Sequence, residues 1–332
     1  MILYGIDTKD ISVVVQGAID PKNTRLCLRS IRKYLPEAEI ILSTWEGTEI
    51  SSFDFDVEIL NKDPGGVKDI NTSFVNNLNR QIISSKNGII KSNRKYCLKI
   101  RNDLVLKSNK FLKYINKYPI RNENFSFFEA RVIFCSIFFK KYLGTIANDV
   151  TPVPFHISDW LMFGLQSDLL KLFDINLAQE PENTNYLIDN EIFTVRPNLF
   201  GASHQYAPEQ YILYNSIKQN NNNFITSNFK HILAYNSEHL DFYEKFVANN
   251  CIILDPYQFS IYCSKKDGVD PYFTWTTNYL SLPYYIFEGL YRHDVFLEDY
   301  IIHCDKSYKI PRYVIARNKL YFTFNKFFEK RR

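Results

Sequence analysis

The side chains with the clearest chemical use stand in the triplet Arg101-Asn102-Asp103, where a run of β-forming residues, Tyr96 to Ile100, ends abruptly. Read as a strand, that run puts Tyr96, Leu98 and Ile100 on one face and Asp103 where the strand leaves its sheet. In open α/β sheets ligands bind at such an exit. A carboxylate there can give oxygen ligands to a divalent ion, and a nearby guanidinium can pair with phosphate, so Arg101 and Asp103 together point to a site for a metal and a diphosphate. Standing alone, the same residues would read as a turn carboxylate and a surface ion pair.

They do not stand alone. Asp63 precedes Pro64-Gly65, where an Asx-turn is the plain reading of the carboxylate. Arg80 sits on a predicted helix that feeds the central strand, well placed to reach a phosphate, or else is a solvated charge. His156, Ser158 and Asp159 fall within four residues after a Pro-x-Pro break, so all three are expected to face a cleft; the alternative for Asp159 is an N-cap or Asx-turn. A Ser-His-Asp hydrolase is not read here, because that triad draws residues from distant segments and needs a nucleophile elbow, which is absent. Glu209 follows Pro208 at a helix start, where the helix dipole favours a carboxylate and favours it ionised.

The elements that must position these groups follow in order. Ile11-Ser-Val-Val-Val15 reads as a strand buried on both faces and runs into Gln16-Gly17-Ala18, small enough to let a ligand near the backbone. A helix is predicted from Asp20 to Leu35, stopped by Pro36, and a second buried strand over Glu39–Ser43. Strand, helix, strand is a βαβ unit, which favours a parallel sheet. Neither GxGxxG nor GxxxxGK[ST] occurs, so phosphate must be held otherwise. Val57–Leu60 is a third strand. Ile70, Phe74, Leu78 and Ile82 then recur every four residues, predicting a helix over about Asp69–Ser85. Further expectations are a helical turn at Asn109–Tyr114, a strand within Ala130–Phe139, a strand at Leu161–Gly164, and a helix at Ser167–Phe173 capped by Ser167 or Asp168. Residues 177–204 read as loop, Ala207–Lys218 as helix, and the chain beyond about 225 as alternating helix and loop.

Composition bounds the class. A 332-residue chain that is 45% hydrophobic and 23% charged is expected to fold, and its net charge of +4 does not argue for nucleic acid, which calls for a concentrated basic face. The six cysteines show no CxxC pair or metal-ligand spacing, which favours a reducing compartment. With no leader-like start and no run of eighteen apolar residues, a cytoplasmic protein is expected. The segment Arg312–Arg332 carries seven basic residues against Glu329 alone, interleaved with aromatics. If helical, it places Leu320, Phe324, Phe327 and Phe328 on one side, as an element lying on an anionic membrane surface would; packing onto the body is the alternative.

Eight segments occurring in order carry a resemblance: Val13–Ile19, Ser30–Pro36, Ile41–Gly47, Lys62–Gly65, Asn79–Gln81, Lys99–Asp103, Phe155–Trp160 and Pro208–Tyr211. Together, over roughly residues 11–215, they are similar to the WavE family of lipopolysaccharide-synthesis proteins. The resemblance implies a bacterial glycosyltransferase with an α/β fold of the GT-A nucleotide-sugar type, having a mostly parallel central sheet. It implies a catalytic domain over 1–220, with a nucleotide half to about 106 and an acceptor half after it, followed by a helical C-terminal extension over 221–332. The donor would be a nucleotide-sugar, a UDP-sugar above others, and the acceptor an oligosaccharide or lipid-linked glycan of lipopolysaccharide or capsule. Such transferases carry Asp-x-Asp at a central strand end; Arg101-Asn102-Asp103 stands there instead and leaves Asp103 as the ligand for Mn²⁺ or Mg²⁺, or a ribose contact. Gln16 and Gly17 would lie against the nucleotide, Asp63 against uracil or ribose, and Arg80 and Arg101 against phosphate. His156, Ser158 and Trp160 would bind sugar hydroxyls, and Glu209, with Asp159 as the alternate, would be the general base. A sugar-phosphate transferase and a non-catalytic glycan-assembly subunit are the rival functions.

Overall fold

The computed structural model describes residues 1–143 except 71 and 73, then 151–192, 203–220, 227–264 and 290–315 except 313. The expected amphipathic tail, apart from residues 312, 314 and 315, therefore lies outside the described residues. In chain order the principal elements are β1 (Ile11–Gln16), α1 (Pro21–Tyr34), β2 (Glu39–Trp45), β3 (Val57–Asn61), α2 (Leu78–Lys91), β4 (Tyr96–Arg101), β5 (Val132–Cys135), β6 (Leu161–Leu165), α3 (Gln166–Phe173), α4 (Glu182–Asp189), α5 (Pro208–Asn220), α6 (Ser237–Asn250), β7 (Cys251–Leu254) and α7 (His293–His303).

The seven strands form one mixed sheet in the order β7-β5-β6-β4-β1-β2-β3. Only β6 runs against the rest. The run Ile11-Ser-Val-Val-Val-Gln is buried at every position, as a central strand covered on both faces requires. The helix α1 starts where the sequence says it should: the Asp20 carboxylate accepts from the Lys22 and Asn23 amides, Pro21 opens the first turn, and the helix stops before Pro36. Because β1-α1-β2 and β3-α2-β4 step in opposite directions along the sheet, right-handed crossovers put α1 and α2 on opposite faces. On the α2 side, α3 packs between α2 and α5.

Several expectations are corrected. The predicted helix over 69–85 begins only at Leu78; residues 67–76 form a small hairpin, Val67–Lys68 against Val75–Asn76, which leaves Ile70 and Phe74 exposed. Local hydrogen bonding wins over the four-residue period, since the Asp69 carboxylate accepts from the Thr72 amide and hydroxyl and from the Ser203 amide. The caps of α3 are not side chains, and Asp168 instead accepts from the amides of Glu129 and Ala130. The segment read as loop over 177–204 contains α4.

Beyond residue 220 the chain is not simply helical. Its β7 extends the central sheet beside β5, and Ile261–Cys263 pairs antiparallel with Leu104–Leu106, directly after Asp103. The sheet thus runs past the expected boundary at 220, and one apolar core joins residues from Ile6 to Val314. No two of the six cysteines are bonded, and all but Cys304 are buried. Among the described residues no helix is long and apolar enough to cross a membrane.

Candidate functional site

Strand order reverses at β1: the chain moves out through β2 and β3, then returns to place β4 on the other side. At that switch point the carboxyl ends of β1 and β4 open a crevice. A cavity of about 580 Å³ lies there, and Gln16, Gly17, Asp63, Arg80, Arg101, Asp103, Asp159, Trp160 and Glu209 line it. Residues from six separate stretches of sequence are thereby brought together.

Two stretches make the strand-end wall. The Gln16 carbonyl oxygen of the side chain accepts from the Ser84 hydroxyl at 2.8 Å, which ties β1 to α2. Gly17 takes φ +121°, open to glycine and strained for other residues. Asn102 donates its amide to the Ala18 carbonyl, so the middle residue of the triplet serves as a tie between the two strand ends. On either side of it, Arg101 Nε and Nη2 donate to the two Asp103 oxygens at 3.0 and 2.6 Å, and the guanidinium lies 4.0 Å over the Trp160 ring. Asp103 is 5% exposed.

Helix α2 ties the opposite wall with successive residues. Asn79 exchanges two hydrogen bonds with the Ala178 backbone. Arg80 Nε and Nη2 donate to Asp63 at 2.7 and 2.6 Å, and Asp63 also accepts from the Gly65 amide, the Asx-turn expected before Pro-Gly. The Arg80 guanidinium holds the Asp63 carboxyl below its ordinary range. Gln81 donates to Asp159 Oδ2. The other oxygen, Asp159 Oδ1, is buried and has no hydrogen-bond partner among the described residues, a costly state for a carboxylate. From below, the ammonium of fully buried Lys99 donates to the Asp159 main-chain carbonyl.

Glu209 departs from expectation. Burial, then the neighbouring Asp159 charge, pushes its carboxyl up to about 8, so that it carries a proton at neutral pH. Desolvation outweighs the helix dipole. His156 lies 3.8 Å from Glu209, and burial followed by the Lys140 charge depresses it well below its ordinary value, which keeps it neutral. The expectation that His156 and Ser158 face the cleft is corrected: neither lines the cavity. Both are buried, and the Ser158 hydroxyl accepts from the Trp160 amide at 3.4 Å, a turn contact within the loop.

The residues around Asp103 do not fit a resident divalent ion as they stand. Both of its oxygens are engaged by Arg101, and no group of three ligating side chains gathers in the cavity among the described residues. Such a group occurs elsewhere, at Glu244, Asp299 and His303, where Lys141 already lies 2.8 and 3.3 Å from the two carboxylates.

Sequence reasoning missed Trp45, Phe74, Asn77, Gln81, Ser84 and Asn102 as lining residues. Trp45 ends a buried strand beside the switch point and carried the same signal as Gln16. Phe74 was assigned to a helix that does not form there.

With this geometry in view, the chain matches the family model for WavE lipopolysaccharide synthesis over residues 11–321. It belongs to the WavE family. The WavE match runs some hundred residues past the segments that first carried the resemblance, through β7 and α7. No curated protein matches the chain. Membership ties the chain to lipopolysaccharide synthesis.

Proposed function

We propose that this WavE protein is a glycosyltransferase that moves a sugar from a nucleotide-sugar, a UDP-sugar above others, to a growing lipopolysaccharide or capsule glycan. The observation that carries the reading is Asp159: a carboxylate lining a cavity at the sheet's switch point, one oxygen held by Gln81 and the other without a hydrogen-bond partner among the described residues. Such a group suits removal of the proton from an acceptor hydroxyl as its oxygen attacks the donor sugar. The diphosphate leaving group gathers charge as the C1 bond breaks, and Arg80, with the Nη1 edge of Arg101 that its pair with Asp103 leaves over, supplies compensation. Protonated Glu209 acts as a hydrogen-bond donor beside Asp159, which reverses the order of preference drawn from sequence. No step is assigned to a metal.

The test is release of nucleoside diphosphate from a panel of nucleotide-sugars in the presence of lipid-linked or oligosaccharide acceptors. Asp159→Asn should retain donor binding and lose about 10²–10⁴-fold in transfer rate, as removal of a general base does. Release of the nucleoside monophosphate with transfer of a sugar phosphate would replace the reading with the rival enzyme. A wild-type protein that binds no nucleotide would leave the assembly-subunit role.

A further inference from the structure

Of the two arginines in the cavity, one is locked and one is not. Arg101, though 29% exposed, is stacked on Trp160 and paired with an aspartate only 5% exposed, whereas in the Arg80–Asp63 pair both partners stand open, with side chains 33% and 37% exposed. We propose that Asp63 is a built-in stand-in for phosphate: its carboxylate occupies the anion seat of Arg80, and a diphosphate-bearing ligand binds by displacing it. The nature of the ligand rests on the nucleotide-sugar reading; the seat itself rests on geometry.

The seat is formed before any ligand arrives. Arg80 presents Nε and Nη2 as a fork to the two carboxylate oxygens at 2.7 and 2.6 Å, the two-bond arrangement a guanidinium also offers phosphate. Its third nitrogen, Nη1, is tethered to Asn77 Oδ1 at 2.9 Å. Gly66 lets the guanidinium lie against the backbone, since a Cβ there would fall 3.0 Å from Nη1. Asp63 is held less firmly, by the Gly65 amide of its own turn besides Arg80.

Charge gives the exchange a direction. With Glu209 protonated, the lining carries Asp63, Asp103 and Asp159 against Arg80 and Arg101, an excess of one negative charge that opposes any anion until the Asp63 carboxylate leaves the fork and brings the lining to balance. A monoanion taking the seat would gain little over the carboxylate it replaces. A diphosphate brings more charge and more oxygens to the same fork, while the released carboxylate turns to water. The seat therefore takes the diphosphate of the donor and that of the spent nucleoside diphosphate alike, so the product competes with the donor for it.

The test is calorimetric titration of the full chain with inorganic pyrophosphate. Asp63→Asn should tighten pyrophosphate roughly two- to fivefold, the worth of an exposed ion pair relieved of competition. Arg80→Gln should lose most of the binding, and in that background Asp63→Asn should bring no gain. A gain that persists without Arg80 would be a general effect of charge and would overturn the proposal. So would unchanged or weaker binding in Asp63→Asn, or no pyrophosphate binding by the wild type. UDP titrated in parallel separates the two readings: the pyrophosphate pattern without UDP affinity keeps the seat and removes the nucleotide. Weaker UDP with unaltered pyrophosphate in Asp63→Asn would make Asp63 a nucleoside contact and overturn the seat.

Discussion

The pairs Arg101–Asp103 and Arg80–Asp63 share one hydrogen-bond pattern, Nε to one carboxylate oxygen and Nη2 to the other. They differ in surroundings. The inner pair closes over two residues of one strand end, with Asp103 nearly inaccessible and an indole against the guanidinium; the rim pair spans a turn and a helix and stands in water. Splitting the inner pair would leave the Asp103 carboxylate buried without its counter-ion, which is costly, whereas a pair exposed on both sides is screened and contributes little. The same chemistry thus yields a fixed part of the wall in one place and an exchangeable part in the other.

The largest expected effect comes from splitting the inner pair. Arg101→Met keeps much of the side chain's bulk against Trp160 but leaves Asp103 buried and unpaired, and should cost about 3–5 kcal/mol of unfolding free energy. Urea denaturation followed by circular dichroism measures it. A loss below about 1 kcal/mol would place the two pairs in the same class and undo the distinction.

Glu209 sharpens the contrast through pH. Its folded carboxyl titrates at about 8, against 4.5 ordinarily, so between those values the folded protein keeps a proton that the unfolded chain has released. Stability contributed by this group therefore falls as pH rises from about 4.5 to 8 and is level above, and Glu209→Gln should remove that slope. In activity the same proton gives a sign. If Glu209 is the donor beside Asp159, the transfer rate falls about tenfold per pH unit above 8 in the wild type, and Glu209→Gln, whose amide still donates, flattens the fall. A rate that climbs through pH 8, with an inactive Gln variant, would return the base to Glu209.

How much of this was legible in the sequence follows the same division between inner strand ends and outer loops. Gln16, Gly17, Arg101 and Asp103 could be found because a buried strand announces itself by continuous β-branched or apolar residues and ends visibly at polar ones. The hairpin at 67–76 could not. Ile70 and Phe74 fall in phase with Leu78 and Ile82 by coincidence, and the Asp69 bonds that decide against a helix include one to Ser203, far along the chain. His156 and Ser158 were placed in the cleft by adjacency, yet a loop of neighbours cannot turn every side chain one way, and only Asp159 and Trp160 reach the cavity. β7 hid in the four-residue run Cys251–Leu254, where length alone could not tell strand from helix. The Glu209 error was one of magnitude: the dipole is visible from sequence, but the burial and the Asp159 charge that outweigh it are tertiary.

The smallest expected effect completes the comparison. Arg80→Met should change unfolding free energy by no more than about 1 kcal/mol, since Asp63 remains in water and in its own Asx-turn with Gly65. The same substitution removes the open guanidinium of the cavity, so it should weaken pyrophosphate far more than it weakens the fold. Raising salt should erode that affinity in the wild type and leave the thermal midpoint nearly in place, because screening acts on an exposed charge meeting an anion and much less on Arg101–Asp103, whose carboxylate is buried. A fold as sensitive to Arg80→Met as to Arg101→Met would mean that the turn at Asp63 depends on the arginine for its shape, and that exposure is a poor guide to which pair can open.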